Sequence, residues 1–568
     1  MPSKSPLAHG TAFLCLLSLL ALGAAPAARA TAARPATGGP VVRAMDSLMS
    51  SAYKPGEPGA AVIVVKDGQV LLRKGYGMAD LELGVRVEPD MRFRIGSVTK
   101  QFTAVAVLML AEEGKLALDD PVTKFLPGYP THGHTITVEH LLTHTSGIKS
   151  YTDMPEWLPL WRKDMTLDTL IAFFRDQPMD FTPGEKWAYD NSGYVLLGAI
   201  IEKASGKPYA DFVRERIFVP LGMTSTCYDT TDNVVRRRVP GYQRSTEGWT
   251  NAPYLSMTQP YAAGALMSTV DDMAKWDAAL YTERLVKQSS LKRAWTPYTL
   301  KDGKPTGYGY GWVMAGVQGH ASIEHGGGIN GFVCNAVRLP DDRVYVAVLS
   351  NRTGDGVSPD RLSIQLAALA IGRPYGSPKP MALTPEQMDA LVGVYQISDK
   401  EDRVITREGT QLFSSRAGGP KRELVPASPT ECQVKDSFTR LVFEKDAAGK
   451  VVAVAAHVRY GPPEQAKRVD KAMPKERTAI TLPPDVLDRY VGRYELVPGF
   501  VLTLTHEGTS MMAQATGQPK VEVFAESETR FFYKVTDAQV DFEKDATGKV
   551  TGLVLHQGGQ DIKGRRLD

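Results

Sequence analysis

The sequence predicts an α/β fold, one antiparallel sheet with helices around it, followed by two small all-β, barrel-like units. Three observations carry that reading. Short apolar runs of strand type open the chain and return far downstream, with helical periodicity between them. A stretch rich in Gly, Pro and Ser then interrupts the pattern. Beyond it, two consecutive segments repeat one another.

The opening strands are 60–65 and 69–74, joined by Lys66-Asp67-Gly68. Asp-Gly between apolar runs is a strong hairpin signal, because both turn residues must tolerate positive φ. Helices are expected over 98–113, stopped by Gly114, and over 194–204, stopped near Gly206. The returning strands are 308–315, 322–325, 331–339 and 343–350, with Pro340-Asp341-Asp342 turning the last pair. The first domain is read as 31–375 and the linker as 376–382.

The two C-terminal units are 383–471 and 482–568. Leu383-Thr384-Pro385 and Val392-Gly393-Val394-Tyr395 recur as Leu482-Pro483-Pro484 and Val491-Gly492-Arg493-Tyr494. Phe443-Glu444-Lys445-Asp446 recurs as Phe542-Glu543-Lys544-Asp545 at the same offset, and Lys467-Arg468-Val469-Asp470 matches Arg565-Arg566-Leu567-Asp568 with a one-residue slip. Agreement at both ends of each unit indicates a tandem duplication.

The chain has 568 residues, 43% of them hydrophobic and 23% charged, with a formal net charge of +3. This is an ordinary globular balance. No long basic block or aromatic-basic stripe suits nucleic acid. Residues 1–30 read as an export signal: Lys4 is the basic start, 12–25 the apolar run, and Ala28-Arg29-Ala30 an A-x-A site that would leave Thr31 first. A periplasmic or secreted protein is expected; an uncleaved anchor is the alternative. No later segment is long and apolar enough to span a membrane. Cys15 lies inside the apolar run, outside any lipobox. Of the other cysteines, Cys227, Cys334 and Cys432, an odd number, are expected as small buried residues, with one pair such as Cys227 and Cys334 left open.

Ser97-Val98-Thr99-Lys100 is an S-x-x-K motif. Residues three apart share a helix face, so hydroxyl and amine can converge, and a serine nucleophile needs an adjacent base. The motif also occurs at Ser51–Lys54, Ser146–Lys149 and Ser289–Lys292. Ser97 differs in following an extended stretch and opening a long apolar helix. Tyr189-Asp190-Asn191 lies in a turn-rich approach to a helix, and a phenol flanked by ammonium charge can become a phenolate base. His325-Gly326-Gly327-Gly328 ends a strand, where consecutive glycines let a ligand reach backbone N–H groups.

In this order the three elements resemble the serine β-lactamase and penicillin-binding protein superfamily, in its class C, DD-peptidase and esterase-like branch. The resemblance covers roughly 40–370 and includes Leu141-Leu142-Thr143-His144-Thr145-Ser146-Gly147, Gly264-Ala265-Leu266-Met267-Ser268-Thr269 and Tyr308-Gly309-Tyr310-Gly311-Trp312. It implies a β-lactamase/transpeptidase-like sheet flanked by helices. The C-terminal units are read as lipocalin-like barrels and are reminiscent of a D-aminopeptidase.

The resemblance implies Ser97 as nucleophile, with Lys100 and Tyr189 as acid/base partners and the choice of first base left open. Asn191, His325, Gly327 and Gly328 would bind substrate, and the N–H groups of Ser97 and Gly328 would form the oxyanion hole. No metal or cofactor is implied. The substrate would be a small molecule or peptide: a β-lactam, a D-amino-acid or cell-wall peptide, or an ester. His325 stands where the family also uses Lys, which favours esterase or peptidase over efficient β-lactamase. A non-catalytic binding protein on the same scaffold remains the rival, and the sequence leaves oligomeric state open. A zinc site at His132, His134, His140 and His144 is a weaker rival, since His140 and His144 lack the Glu of H-E-x-x-H. An α/β-hydrolase is disfavoured by the absence of G-x-S-x-G.

Overall fold

The computed structural model describes residues 39–568 except 377–379, 399–400, 417–420, 460–462, 474–476, 498–499, 517–519, 535–537 and 558–559. The expected export signal, and the middle of the expected linker, therefore lie outside the described residues. Among the described residues no helix is long and apolar enough to cross a membrane.

The elements that position the site are α1 (Pro40–Ala52), β1 (Ala60–Lys66), β2 (Gln69–Tyr76), α2 (Thr99–Glu112), α3 (Asn191–Ser205), β3 (Val313–Val317), β4 (His320–Ile329), β5 (Phe332–Leu339), β6 (Val344–Ser350) and α4 (Pro359–Ala370). The strands form one antiparallel sheet in the order β3-β4-β5-β6-β1-β2. The first and last parts of this region thus meet at β1 and β6, from Ala60 opposite Ser350 to Lys66 opposite Val344. Asp67 and Gly68 turn the first hairpin at φ 51° and 75°, as Asp-Gly predicts.

Both faces of the sheet are covered, so its central strands read as continuous apolar runs. Val62, Val64, Val346 and Val348 point to a core shared with α1 and α4. Ala61, Ile63, Ala347 and Leu349 point to the opposite core, which holds α2 and α3. This is the period-2 alternation of a strand with an apolar layer on each side. Every residue of α2 from Thr99 to Leu110 is buried, so that helix is covered all round rather than amphipathic, with its polar residues Thr99, Lys100, Gln101 and Thr103 gathered at the N-terminal end. The expected strand over 308–315 begins only at Val313. Gly311 has φ +80°, and a Cβ there would come within 2.7 Å of the Lys100 carbonyl, so the chain turns against α2 before it pairs.

The C-terminal region forms two closed barrels of eight strands each, over 393–469 and 492–566. A short helix precedes each, Pro385–Leu391 and Pro484–Leu487. The duplication repeats down to single hydrogen bonds. Arg468 donates to the carbonyls of Ala390 and Val392 and lies over the Tyr395 ring. Arg566 donates to those of Arg489 and Val491 and lies over Tyr494. Tyr395 and Tyr494 each donate back four residues, to Leu391 and Tyr490. Each clamp closes its barrel, tying the last strand to the segment entering the first. Charge-assisted bonds of this kind contribute about 2 kcal/mol. Arg566→Ala is expected to speed hydrogen exchange across 492–566 and leave 393–469 unchanged, with Arg468→Ala giving the reverse.

The first barrel docks on the sheet. Arg459 donates to Glu324 of β4 and to the Gly316 carbonyl. Glu324 is 6% exposed and immediately precedes His325. Tyr375 and Phe438 pack at a tilt beside this junction with ring centroids 4.4 Å apart, and Arg361 pairs with Asp436 at 2.6 Å.

The three cysteines are free. The pairing of Cys227 with Cys334 does not occur in this structure. Cys227 sits in a short strand opposite Met267, whereas Cys334 is buried on β5 and donates its thiol to the Ile95 carbonyl at 3.1 Å.

Candidate active site

Ser97 lies in a short 3-10 turn, Gly96–Val98, that leads directly into α2. Gly96 makes this entry possible: its φ is +48°, and a Cβ there would stand 3.0 Å from the Gly328 nitrogen. The backbone at 96–97 and that at 328 therefore converge on one rim.

Lys100, one helical turn on, is 0% exposed. Its ammonium donates to Ser97 Oγ at 3.2 Å, Asn191 Oδ1 at 2.8 Å and the Ala263 carbonyl at 2.9 Å. It also lies 4.7 Å from the Tyr189 ring centroid and 5.2 Å from that of Tyr194. Burial lowers its pKa to about 7, against an upward pull from the Asp190 carboxylate. An amine held near neutrality beside a serine hydroxyl is a usable proton acceptor.

Asn191 is the first residue of α3, capped by Asp190, whose carboxylate accepts from the Gly193 N–H at 3.0 Å. The Asn191 amide donates to Thr152 Oγ1 at 3.0 Å. Both ends of this amide are thus engaged, which fixes the carbonyl end on Lys100. Asp190 is itself buried, and its pKa rises to about 7 because burial outweighs its hydrogen bonds.

Tyr189 differs from the phenolate expectation. Its hydroxyl is buried and meets no hydrogen-bond partner of good geometry among the described residues. Ser97 pulls its pKa down, but burial dominates and holds it well above the usual phenol range. The resting side chain is a protonated phenol. Its ring packs against His144 at a tilt, 4.4 Å between centroids, in a cluster with Tyr194 and Tyr308.

His325 is also placed differently from the expectation that it faces substrate. It is 5% exposed, and both ring nitrogens are engaged. Nδ1 pairs with the Gly326 carbonyl at 2.6 Å and Nε2 with the Tyr308 hydroxyl at 2.8 Å. A carbonyl only accepts, so Nδ1 carries the proton and Nε2 accepts from Tyr308. Burial and the Lys100 charge lower its pKa to about 3, and the imidazole is neutral. Gly327 turns inward: a Cβ there would fall 2.0 Å from the Ile95 carbonyl oxygen and 2.8 Å from Cys334 Sγ. At Gly328 an added Cβ would meet nothing within 4 Å.

A cleft of about 130 Å³ opens over Ser97. Ser97, Asn191 and Gly328 line it, together with Tyr151, Trp157, Leu255 and Ile329 among others. Lys100, His325 and Gly327 are buried and do not line it, and Tyr189 is half-buried with its hydroxyl shielded from solvent. Gln259, fully buried, fixes the aromatic wall: its carbonyl accepts from the Tyr151 hydroxyl, its side-chain oxygen accepts from Trp157 Nε1, and its amide donates to the carbonyls of Leu160 and Lys163. Sequence reasoning missed Gln259, Thr152 and the Ala263 carbonyl. Tyr308 and His144 stood inside quoted family phrases without an assigned role.

The other three S-x-x-K pairs build no comparable site. Ser146 is buried and donates to Asp190, while Lys149 pairs with Asp180 at 2.9 Å. Ser51 donates to its own helix at Leu48, and Ser289 lies on the exposed face of a short helix. His140 closes a capping box on Thr137, and His144 accepts from the Asp190 N–H, so the two histidines serve different partners.

The Beta-lactamase family profile matches residues 41–370, and that of a domain of unknown function, DUF3471, matches 476–566. The chain is 30% identical over 400 residues to penicillin-binding protein 4* of Bacillus subtilis (strain 168), covering 65% of this chain and 86% of that one. It is 29% identical over 342 residues to a D-aminopeptidase of Gluconobacter oxydans (strain 621H), covering 60% of this chain and 63% of that one. Among solved structures, the octameric penicillin-binding protein homologue from Pyrococcus abyssi aligns with a TM-score of 0.53 at 27% identity, over 75% of this chain and 99% of that one. The D-amino acid amidase from Ochrobactrum anthropi SV3 aligns with a TM-score of 0.52 at 25% identity, over 59% of this chain and 99% of that one. With Ser97 on one cleft, a fully buried lysine bonded to it, and a family match across more than half its length, the chain belongs to the beta-lactamase family of serine hydrolases, among the homologues of penicillin-binding proteins and D-aminopeptidases.

Proposed function

We propose that the protein hydrolyses an ester or amide through an acyl-enzyme on Ser97. One observation carries the reading: a fully buried amine with a pKa near 7 stands 3.2 Å from the Ser97 hydroxyl at the base of a cleft. Lys100 takes the Ser97 proton as Oγ attacks the substrate carbonyl. The N–H groups of Ser97 and Gly328 hold the oxyanion. The Tyr189 phenol gives its proton to the leaving group and regains one from the Lys100 ammonium. Water then enters by the reverse transfers and releases the acid. Asn191 fixes the lysine, and His325 braces Tyr308 behind the site rather than binding substrate.

Two further points belong to this proposal. The segment 1–30 supports export to the periplasm or beyond. The neutral, buried His325 disfavours efficient β-lactam turnover, because a β-lactam carboxylate finds no cation there.

A fluorophosphonate probe tests the reading. The wild-type chain should gain one adduct, mapped to the peptide holding Ser97, and Ser97→Ala should gain none. Hydrolysis of p-nitrophenyl acetate should fall by about 10⁴-fold or more in Ser97→Ala. Equal labelling and equal hydrolysis in the two proteins would leave a non-catalytic binding role.

A further inference from the structure

We infer that the cleft is built for a compact, uncharged acyl group, and that it discriminates against substrates carrying either a carboxylate or an ammonium on the acyl side. The inference rests on the acyl-enzyme reading and specifies its substrate class.

Charge is missing from the cleft itself. Its described lining, which includes Tyr151, Trp157, Leu255, Ile329 and Asn330, holds no carboxylate, amine, guanidinium or imidazole. Much of the wall is apolar or aromatic. The side-chain amide nitrogens there are already committed: Asn191 is held at both ends, and the Asn330 amide donates to the Pro253 carbonyl at 3.0 Å.

Charge cannot be borrowed from beneath the floor either. The three N–H donors of the Lys100 ammonium all have protein acceptors. His325 is neutral and spends both nitrogens on Gly326 and Tyr308. Asp190 is fully engaged on one oxygen at the α3 cap and is sealed from the cleft. A substrate ion entering this space loses water and gains no counter-ion, which is costly unless a partner replaces the lost hydration. An uncharged acyl chain instead gains contact with Trp157, Leu255 and Ile329. The volume also favours short chains, since about 130 Å³ is well below the usual range of drug-sized sites.

Three p-nitrophenyl esters are compared, pentanoate, hydrogen glutarate and 5-(trimethylammonio)pentanoate, with neutral 6,6-dimethylheptanoate matching the size of the ammonium ester so that charge is separated from bulk. Each rate is corrected by that of Ser97→Ala. The expected kcat/KM for pentanoate exceeds that of hydrogen glutarate, and that for 6,6-dimethylheptanoate exceeds that of the ammonium ester, by about tenfold or more. Asn330→Lys, which brings a cation to the rim, is expected to raise the glutarate-to-pentanoate ratio by about tenfold. Charged esters processed within threefold of their neutral counterparts, with all rates dependent on Ser97, would overturn the inference and leave the acyl-enzyme reading intact. So would a ratio unmoved by Asn330→Lys, because the discrimination would then not arise from missing charge. No Ser97-dependent turnover of any ester would instead remove the acyl-enzyme reading.

Discussion

Lys100→Met is expected to lower kcat/KM by about 10³-fold, the usual contribution of a positioned general base. Lys100→Arg is expected to fall equally far. A guanidinium keeps the positive charge but cannot give up its proton at accessible pH, so this pair separates charge from proton transfer. The wild-type pH profile provides the second measurement. Burial holds the Lys100 amine near pKa 7, and the free amine is the reactive form. Activity should therefore rise with pH through about 7 and fall away on the acid side. The Tyr189 phenol titrates far above this range, so it sets no limb there. A flat profile between pH 5 and 8, or full activity in Lys100→Arg, would remove lysine from the proton path.

The second large effect separates two adjacent glycines. Gly327→Ala places a methyl 2.0 Å from the Ile95 carbonyl oxygen, a backbone atom that cannot swing aside. Overpacking against backbone costs about 3 kcal/mol. Ile95 is also two residues before Ser97, so any displacement is passed to the nucleophile, and an error near 1 Å costs about 100-fold in rate. Gly328→Ala adds its methyl into open space and should keep the parent melting temperature. Thermal unfolding and kcat measured side by side check this. Equal stability of the two variants would refute the contact with Ile95.

These glycines mark where the sequence stops being readable. His325-Gly326-Gly327-Gly328 announces a close approach, but not which glycine meets backbone and which borders the cleft. That depends on Ile95, far away in the chain. The turn at Asp67-Gly68, the start of α2 just beyond Ser97 and the duplicated barrels are local or repetitive patterns, and all were legible. The S-x-x-K pair at Ser97 could be told from its three copies because the apolar helix behind it is visible in the sequence. The protonation of Tyr189 was not legible, because a neighbouring ammonium argues for phenolate while burial argues against it, and burial emerges only on folding. The same holds for His325, whose two ring partners come from its own strand and from the turn at Tyr308.

The ion pair between Arg459 and Glu324 gives the barrels a meaning beyond decoration. A chain trimmed at the end of the family match, near residue 370, would lose both Arg459 and the barrel residues that cover Glu324, leaving that carboxylate without its counter-ion one position from His325. The N-terminal portion therefore meets its C-terminal neighbour through a buried ion pair. Its electrostatic balance is completed from outside its own borders, by an arginine that sequence comparison would assign to somebody else.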